Sequence, residues 1–295
     1  MKILVTGATG FVGKSLIPKL LSENHEVVVN LHNSQRALPD SVTKIRLQDA
    51  GNTVAHDIEL LKALRLDGVI HLASLYITTH KPEEVLNLVQ TNVGFSTYVL
   101  ECASEAGVPW FVNTGTFWQH YKSAEYDPVN LYAATKEAFE AIAQYYINTS
   151  SLQFVTLKLS DTYGPGDTRP KILNLLDRIS KSDEELQMSP GDQQMDISHI
   201  DDVCTAFIQL ANLLQNADKR IENGAAYVVK ASKVYSLKEL VAIFENVSKC
   251  KLSINFGGRP YRDREVMQPW KFGNTVPGWS PKISIHAGIK QMLDI

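Results

Sequence analysis

The sequence predicts a doubly wound parallel α/β fold carrying a smaller C-terminal substrate-binding domain, and three observations lead there. Short β-branched runs alternate with apolar residues at helical spacing from residue 3 to residue 159. Gly7, Gly10 and Gly13 stand between the first such run and the first helical pattern. Gly10, Leu31, Ala73 and Thr116 all fall at predicted strand ends, which is the edge where open α/β sheets bind ligands.

The elements follow in order. Ile3-Leu4-Val5-Thr6 reads as a buried strand, and residues 11–21 as an amphipathic helix. Between them glycine permits a tight turn at position 7, close backbone approach to a pyrophosphate at 10, and helix–strand packing at 13. Phe11 and Val12 open the helix whose positive dipole end then faces the anion. Residues 25–31 form the second strand and 42–47 the third. The second strand ends in Asn30-Leu31-His32-Asn33-Ser34-Gln35-Arg36, without the carboxylate that holds a ribose in NAD sites. Arg36 is therefore either a cation for the 2′-phosphate of NADP or a solvated loop arginine. Asp49 either accepts from an adenine amino group or is a solvated loop carboxylate.

Residues 68–74 give the fourth strand, with small residues at its end, including Ala73 after Leu72, that leave room for a cofactor. A long helix over 82–106 begins at a proline, stops at Gly107 and carries Asn92. The fifth strand, 110–114, runs out into Gly115-Thr116 and an aromatic-rich loop. The helix over 130–147 puts Tyr132 and Lys136 one turn apart on one face. Residues 154–159 make the sixth strand, and turn residues break the pattern at 161–167. Residues 195–203 read as a strand returning to the sheet and a helix start capped by an aspartate, with His199 a packed structural histidine rather than a base. Tyr227-Val228-Val229, the helix capped by Ser236 and the turn-rich stretch 257–279 suit a small domain covering the substrate. The dinucleotide-binding domain thus spans 1–165 with 195–212 returning to it, while 166–194 and 213–295 are mainly substrate-binding.

Bulk properties narrow the class. A 295-residue chain with 44% hydrophobic residues can fill one large core plus a smaller one. A net charge of −3 and scattered basic residues argue against a nucleic-acid partner. Cys102, Cys204 and Cys250 have no metal-ligand or redox spacing, so no metal site is expected and a reducing compartment is. With no apolar leader or membrane-length run, the expectation is a cytoplasmic protein without a membrane partner.

The chemistry lies in Thr116, Tyr132 and Lys136. Hydride exchange between a nicotinamide and a carbonyl carbon requires a proton to be gained or lost at the carbonyl oxygen. Tyr132 supplies that proton if a neighbouring cation eases its ordinary pKa near 10, and Lys136 is placed to be the cation. Thr116 would hold the substrate oxygen in line.

Taken together, Thr6-Gly7-Ala8-Thr9-Gly10-Phe11-Val12-Gly13, His71-Leu72-Ala73, Asn92-Val93-Gly94, Thr116, the Tyr132/Lys136 pair, residues 163–167, 199–203 and 278–281 resemble the extended short-chain dehydrogenase/reductases that modify sugar nucleotides. The resemblance implies a Rossmann-type sheet. It also implies a nicotinamide ribose on Lys136, a supporting role for Asn92 beside the cofactor, a grip on the substrate diphosphate by Arg262, and a homodimer built on the helices of Asn92 and Tyr132. Thr114 and Asp161 fall at positions that face substrate in such enzymes. The departures are informative. Phe117 and Trp118 stand where 4,6-dehydratases carry an Asp-Glu pair, Thr114-Gly115-Thr116 replaces a serine cluster, and Asp161 replaces an asparagine. These features are most similar to 4-ketoreductases that make CDP-linked 3,6-dideoxyhexoses such as abequose and paratose. The expected activity is reduction of the 4-keto group of a nucleotide-linked sugar, with NADP(H) favoured over NAD(H). Its rivals are an NAD-holding 4-epimerase and, from another class, a redox-silent NADP-binding sensor.

Overall fold

A computed structural model describes residues 1–31, 38–218 and 220–295. The first part of the chain runs β1 (Lys2–Thr6), α1 (Phe11–Ser22), β2 (Glu26–Asn30), β3 (Thr43–Ile45), α2 (Val54–Leu64) and β4 (Gly68–His71). It continues through α3 (Val85–Val89), α4 (Ser96–Glu105), β5 (Trp110–Thr116), α5 (Leu131–Thr149) and β6 (Gln153–Leu159). Then come β7 (Asp161–Tyr163), α6 (Ile172–Ser180), β8 (Leu186–Met188), β9 (Gln194–Met195), β10 (Ile197–His199) and α7 (Ile200–Gln215). The chain closes with β11 (Ala226–Val229), β12 (Tyr235–Ser236), α8 (Leu237–Ser248), β13 (Ile254–Phe256), β14 (Asn274–Thr275) and α9 (Ile285–Leu293).

The described residues form an eight-stranded sheet in the order β14-β11-β6-β5-β4-β1-β2-β3, and every neighbouring pair is parallel. This is the Rossmann-type doubly wound sheet that the alternation of strand and helix predicts. Successive strand residues feed opposite faces, as a period of two requires. Ile3 and Val5 pack with α1 and α7 through Leu16, Ile17, Val203 and Phe207. Leu4, Val69 and Phe111 pack on the other face with Leu61, Val99, Leu100 and Phe139. Both faces are covered, which is why the strands read as continuous apolar runs rather than alternating ones. A third core, with Leu173, Leu176, Leu240 and Phe244, holds α6, α8 and α9 together.

Five features differ from the sequence expectations. The strand expected to return to the sheet near residue 197, β10, pairs instead with β7 in a separate two-stranded sheet. Strand β11 and the short β14, from the stretch assigned to the small domain, extend the main sheet beyond β6. Helix α2 stands between the third and fourth strands, where the sequence pattern predicts no helix. Its start is marked by Thr53, whose hydroxyl accepts from His56 N–H at 3.2 Å, but its inner face is partly polar. There Asp57 is fully buried and accepts from Gln48 N–H and the Tyr98 hydroxyl at 2.7 and 2.8 Å. The helix expected over 82–106 is interrupted by a π-helical segment at Gln90–Phe95, a departure frequent at functional sites. Finally, α7 is capped by His199, whose Nδ1 accepts from Asp201 N–H at 3.2 Å, and not by an aspartate. Asp202 instead accepts the Lys282 and Ile283 N–H groups at 2.9 and 3.0 Å, tying the C-terminal segment down.

Candidate active site

A cavity of about 1060 Å³ runs along the carboxyl ends of the strands. At one end lie Gly7, Gly10, Phe11, Val12, Gly13 and Leu72; at the other are Thr114, Thr116, Tyr132, Lys136, Asp161 and Arg262. The sheet therefore brings twelve of the sequence-predicted site residues to one cavity.

The glycine turn is shaped by backbone crowding. Gly7 has φ +66°, and a Cβ there would lie 2.6 Å from Ala73 N and 2.8 Å from Leu72 O. A Cβ on Gly13 would lie 2.5 Å from Gly7 O and 2.7 Å from Ala8 Cα. Gly10 N–H donates to Gly7 O at 3.0 Å and Gly10 caps α1 without a side chain, leaving the helix N-terminus open towards the cavity. That cradle fits a dinucleotide pyrophosphate. Ala73 contributes through its backbone: its N–H donates to Thr6 Oγ1 at 3.2 Å. Thr6 and Ser96 hold the two ring nitrogens of His71 at 2.9 Å each. Burial, reinforced by the Lys136 charge, pushes His71 down to about 3, so it is a neutral strut joining β1, β4 and α4.

Other cofactor expectations fare differently. Asn92 is fully buried and does not line this cavity; its side chain accepts from Leu75 N–H at 2.7 Å and donates to Leu75 O at 2.9 Å and to Thr135 Oγ1 at 3.0 Å. It supports the loop after β4 and the helix of Tyr132. Asp49 is exposed in the turn after β3 and is not part of the cavity wall. Arg36 lies outside the described residues. Asn30, at the end of β2, spends its side-chain oxygen on Leu47 N–H at 2.7 Å.

At the other end of the cavity, Asn130 caps α5 by accepting from Ala133 N–H at 3.0 Å, and its amide donates to Thr78 O at 2.9 Å. That fixes the first turn of α5, which carries Tyr132. Lys136, 2% exposed, lines the cavity, and its ammonium makes no hydrogen bond among the described residues. Burial lowers its pKa to about 8, with Glu140 acting the other way. Such a buried donor facing the cavity fits a ribose hydroxyl. Thr116 Oγ1 accepts from Trp118 N–H at 3.3 Å, and Thr114 Oγ1 donates to His71 O at 2.8 Å.

The surroundings of Tyr132 hold further cations. Its phenol is pushed up to about 12, first by burial and then by Tyr76. Lys171, Ser74 and Arg169 favour the phenolate. Lys171 went unread in the sequence. Its Nζ donates to Asp161 Oδ1 at 2.6 Å and to the Tyr76 hydroxyl at 3.0 Å, and it sits over the Tyr76 and Trp118 rings. Tyr76 packs edge-on against Tyr132 with centroids 5.1 Å apart. Arg169 is held by Asp167 at 2.7 and 2.8 Å and by Thr162 O and Oγ1, both at 2.9 Å. Its guanidinium lies 4.4 Å from the Phe11 ring centroid, so it bridges the two ends of the cavity. Arg262 pairs with Glu265 at 3.1 Å. No local motif announces Lys171 or Arg169; both follow the turn at 163–167 by a few residues, and only the fold brings them to Tyr132.

Comparison with known proteins identifies the family. The sequence profile of the NAD dependent epimerase/dehydratase family matches residues 3–229. A CDP-abequose synthase of Salmonella typhimurium is 28% identical over 99% of this chain and 97% of its own length. Another, from Yersinia pseudotuberculosis, is 26% identical over 93% of this chain and 94% of its own. Among solved structures, the UDP-glucuronic acid 4-epimerase of Bacillus cereus in complex with UDP-glucuronic acid and NAD superposes with a TM-score of 0.85 at 23% identity, covering 100% of this chain and 98% of that one. The chain belongs to the NAD-dependent epimerase/dehydratase family and is an oxidoreductase-type enzyme of that family.

Proposed function

We propose that this enzyme reduces the 4-keto group of a nucleotide-linked deoxysugar at the expense of NADPH. The observation that carries the reading is the convergence of Thr116, Tyr132 and Lys136 on one cavity in which Phe117 and Trp118 also stand. By resemblance to 4,6-dehydratases, those two aromatics stand where an Asp-Glu pair would serve water elimination, which favours hydride exchange with proton delivery. Full-length similarity to CDP-abequose synthases supports the same reading and suggests a CDP-linked substrate.

A reduced nicotinamide held along the strand ends supplies the hydride. Tyr132 gives its hydroxyl proton to the carbonyl oxygen, and Thr116 holds that oxygen in line. The resulting phenolate is stabilised by Lys171, with Arg169 adding to the positive field. Lys136 holds the ribose hydroxyls, Gly7, Gly10 and the α1 N-terminus receive the pyrophosphate, and Asp161, Thr114 and Arg262 meet the substrate. The second strand ends without a carboxylate, and Arg36 follows it; these favour NADP(H) over NAD(H). Exposed Leu86 and Val89 on α3, with Ile142 and Tyr145 on α5, fit a homodimer contact between those helices.

The test is loss of NADPH absorbance with a panel of CDP-, dTDP-, UDP- and GDP-linked 4-keto sugars, NADH run in parallel. Oxidation with one nucleotide series establishes the reductase and its substrate class. No oxidation, together with NAD released on denaturation, would transfer the assignment to a 4-epimerase.

A further inference from the structure

Beneath the reacting end of the cavity lies a buried polar cluster that the reaction itself does not use. Gln119, fully buried, sits three residues after Thr116. Its side-chain carbonyl accepts from Thr116 N–H at 2.8 Å. Its amide donates to Glu137 Oε2 at 2.5 Å and to Glu140 Oε1 at 2.9 Å. Both carboxylates are on α5, immediately after Lys136 and one turn beyond it. Lys158, from β6, approaches Glu140 at 3.3 Å and donates to His120 Nε2 at 2.9 Å. His120 hands its other ring N–H to Glu125 O at 2.6 Å and stacks on Trp270, which lines the cavity from the C-terminal segment, at 3.9 Å.

We infer that Gln119 is a positioning residue, a clasp that fixes the strand end bearing Thr116 against the helix bearing Tyr132 and Lys136. A single buried amide satisfies one backbone donor on β5 and two carboxylates on α5, so neither element can shift without leaving a buried polar group unpaired. The cluster also explains the glycine between the two threonines. A Cβ on Gly115 would lie 2.8 Å from Lys158 Cγ and 3.0 Å from Gln119 Oε1, so a serine there would displace the clasp. Gln119 does not touch the cavity. It acts through Thr116 and α5, and the inference rests on the catalytic reading of those residues.

The experiment compares the full chain with Gln119→Met, which keeps the length and apolar bulk of the side chain and removes its hydrogen bonds. Hydrogen–deuterium exchange of the peptide spanning 115–119, measured without substrate, should quicken about tenfold or more as Thr116 N–H loses its acceptor. Turnover with the responsive nucleotide sugar should fall about 10²-fold while KM and cofactor affinity stay near wild type, the signature of misplaced rather than lost groups. Glu137→Ala, which cuts one arm of the clasp at a half-exposed residue, should cost about fivefold in turnover and serves if Gln119→Met does not fold. Unchanged exchange, or faster exchange with unchanged turnover, would overturn the inference. A wild-type chain that reduces no 4-keto sugar would instead count against the reductase reading, since the exchange measurement needs no substrate.

Discussion

The two ends of the cavity are built by different means. The dinucleotide end is made of backbone: Gly7 and Gly13 leave out the Cβ atoms that Ala8, Leu72 and Ala73 would meet, and the neutral His71 braces the strands behind them. The reacting end is made of side chains drawn from β5, α5, β6, β7 and three loops: Tyr76, Gln119, Glu140, Lys158, Asp161 and Lys171 surround Thr116, Tyr132 and Lys136. A backbone site depends on what is absent at fixed spacing. A side-chain site depends on partners that the chain supplies from far away.

Mutations at the two ends should therefore fail in opposite ways. Tyr132→Phe is expected to slow turnover by about 10²–10⁴-fold while leaving NADPH affinity nearly intact, measured by steady-state kinetics and fluorescence titration. Near wild-type turnover would remove Tyr132 as proton donor. Gly13→Ala should do the reverse. Its Cβ presses on the Gly7 carbonyl, costing about 1–3 kcal/mol in thermal or denaturant unfolding and weakening the cofactor about tenfold. Should cofactor affinity survive that substitution, the backbone cradle is not what holds the pyrophosphate.

Lys171→Met sharpens the contrast within the reacting end. A loss of about tenfold in turnover is expected, because a cation near the phenolate is removed. In a Tyr132→Phe background the same change should add almost nothing, since Lys171 then has no phenolate to stabilise. Additive losses would mean that it serves the substrate and not Tyr132.

The smallest effect concerns pH. Burial holds Lys136 down to about 8, with Glu140 opposing. Its ammonium is present below that pH and lost as pH rises through it. Cofactor affinity and turnover should accordingly decline a few-fold above about pH 8. A flat profile well beyond that value would take the charge of Lys136 out of the account.

The same contrast explains what the sequence reveals. The glycine turn, the parallel strands and the Tyr132/Lys136 pair are legible because each is a local pattern whose period is imposed by backbone geometry. Helix α2 escapes because its buried face includes the charged Asp57, which blurs the apolar stripe. The placement of β11 in the main sheet depends on a crossover that apolar spacing alone does not specify. Asn92 is visible as a motif residue, yet its role as a strut depends on the π-helical turn that points it at Leu75 and Thr135. Lys171 leaves no local signal, because its partners Asp161 and Tyr76 lie 10 and 95 positions away; Gln119 is placed locally by the cap it makes with Thr116, but its reach to Glu137 and Glu140 depends on the fold.

The most direct measurement follows the hydride itself. NADPH deuterated at the transferable position is incubated with the enzyme and a CDP-linked 4-keto deoxysugar, and the sugar product is weighed by mass spectrometry against the cofactor consumed. The account predicts one deuterium retained in the product for each NADPH oxidised. Turnover of a nucleotide sugar with no label in the product and no cofactor consumed would contradict it.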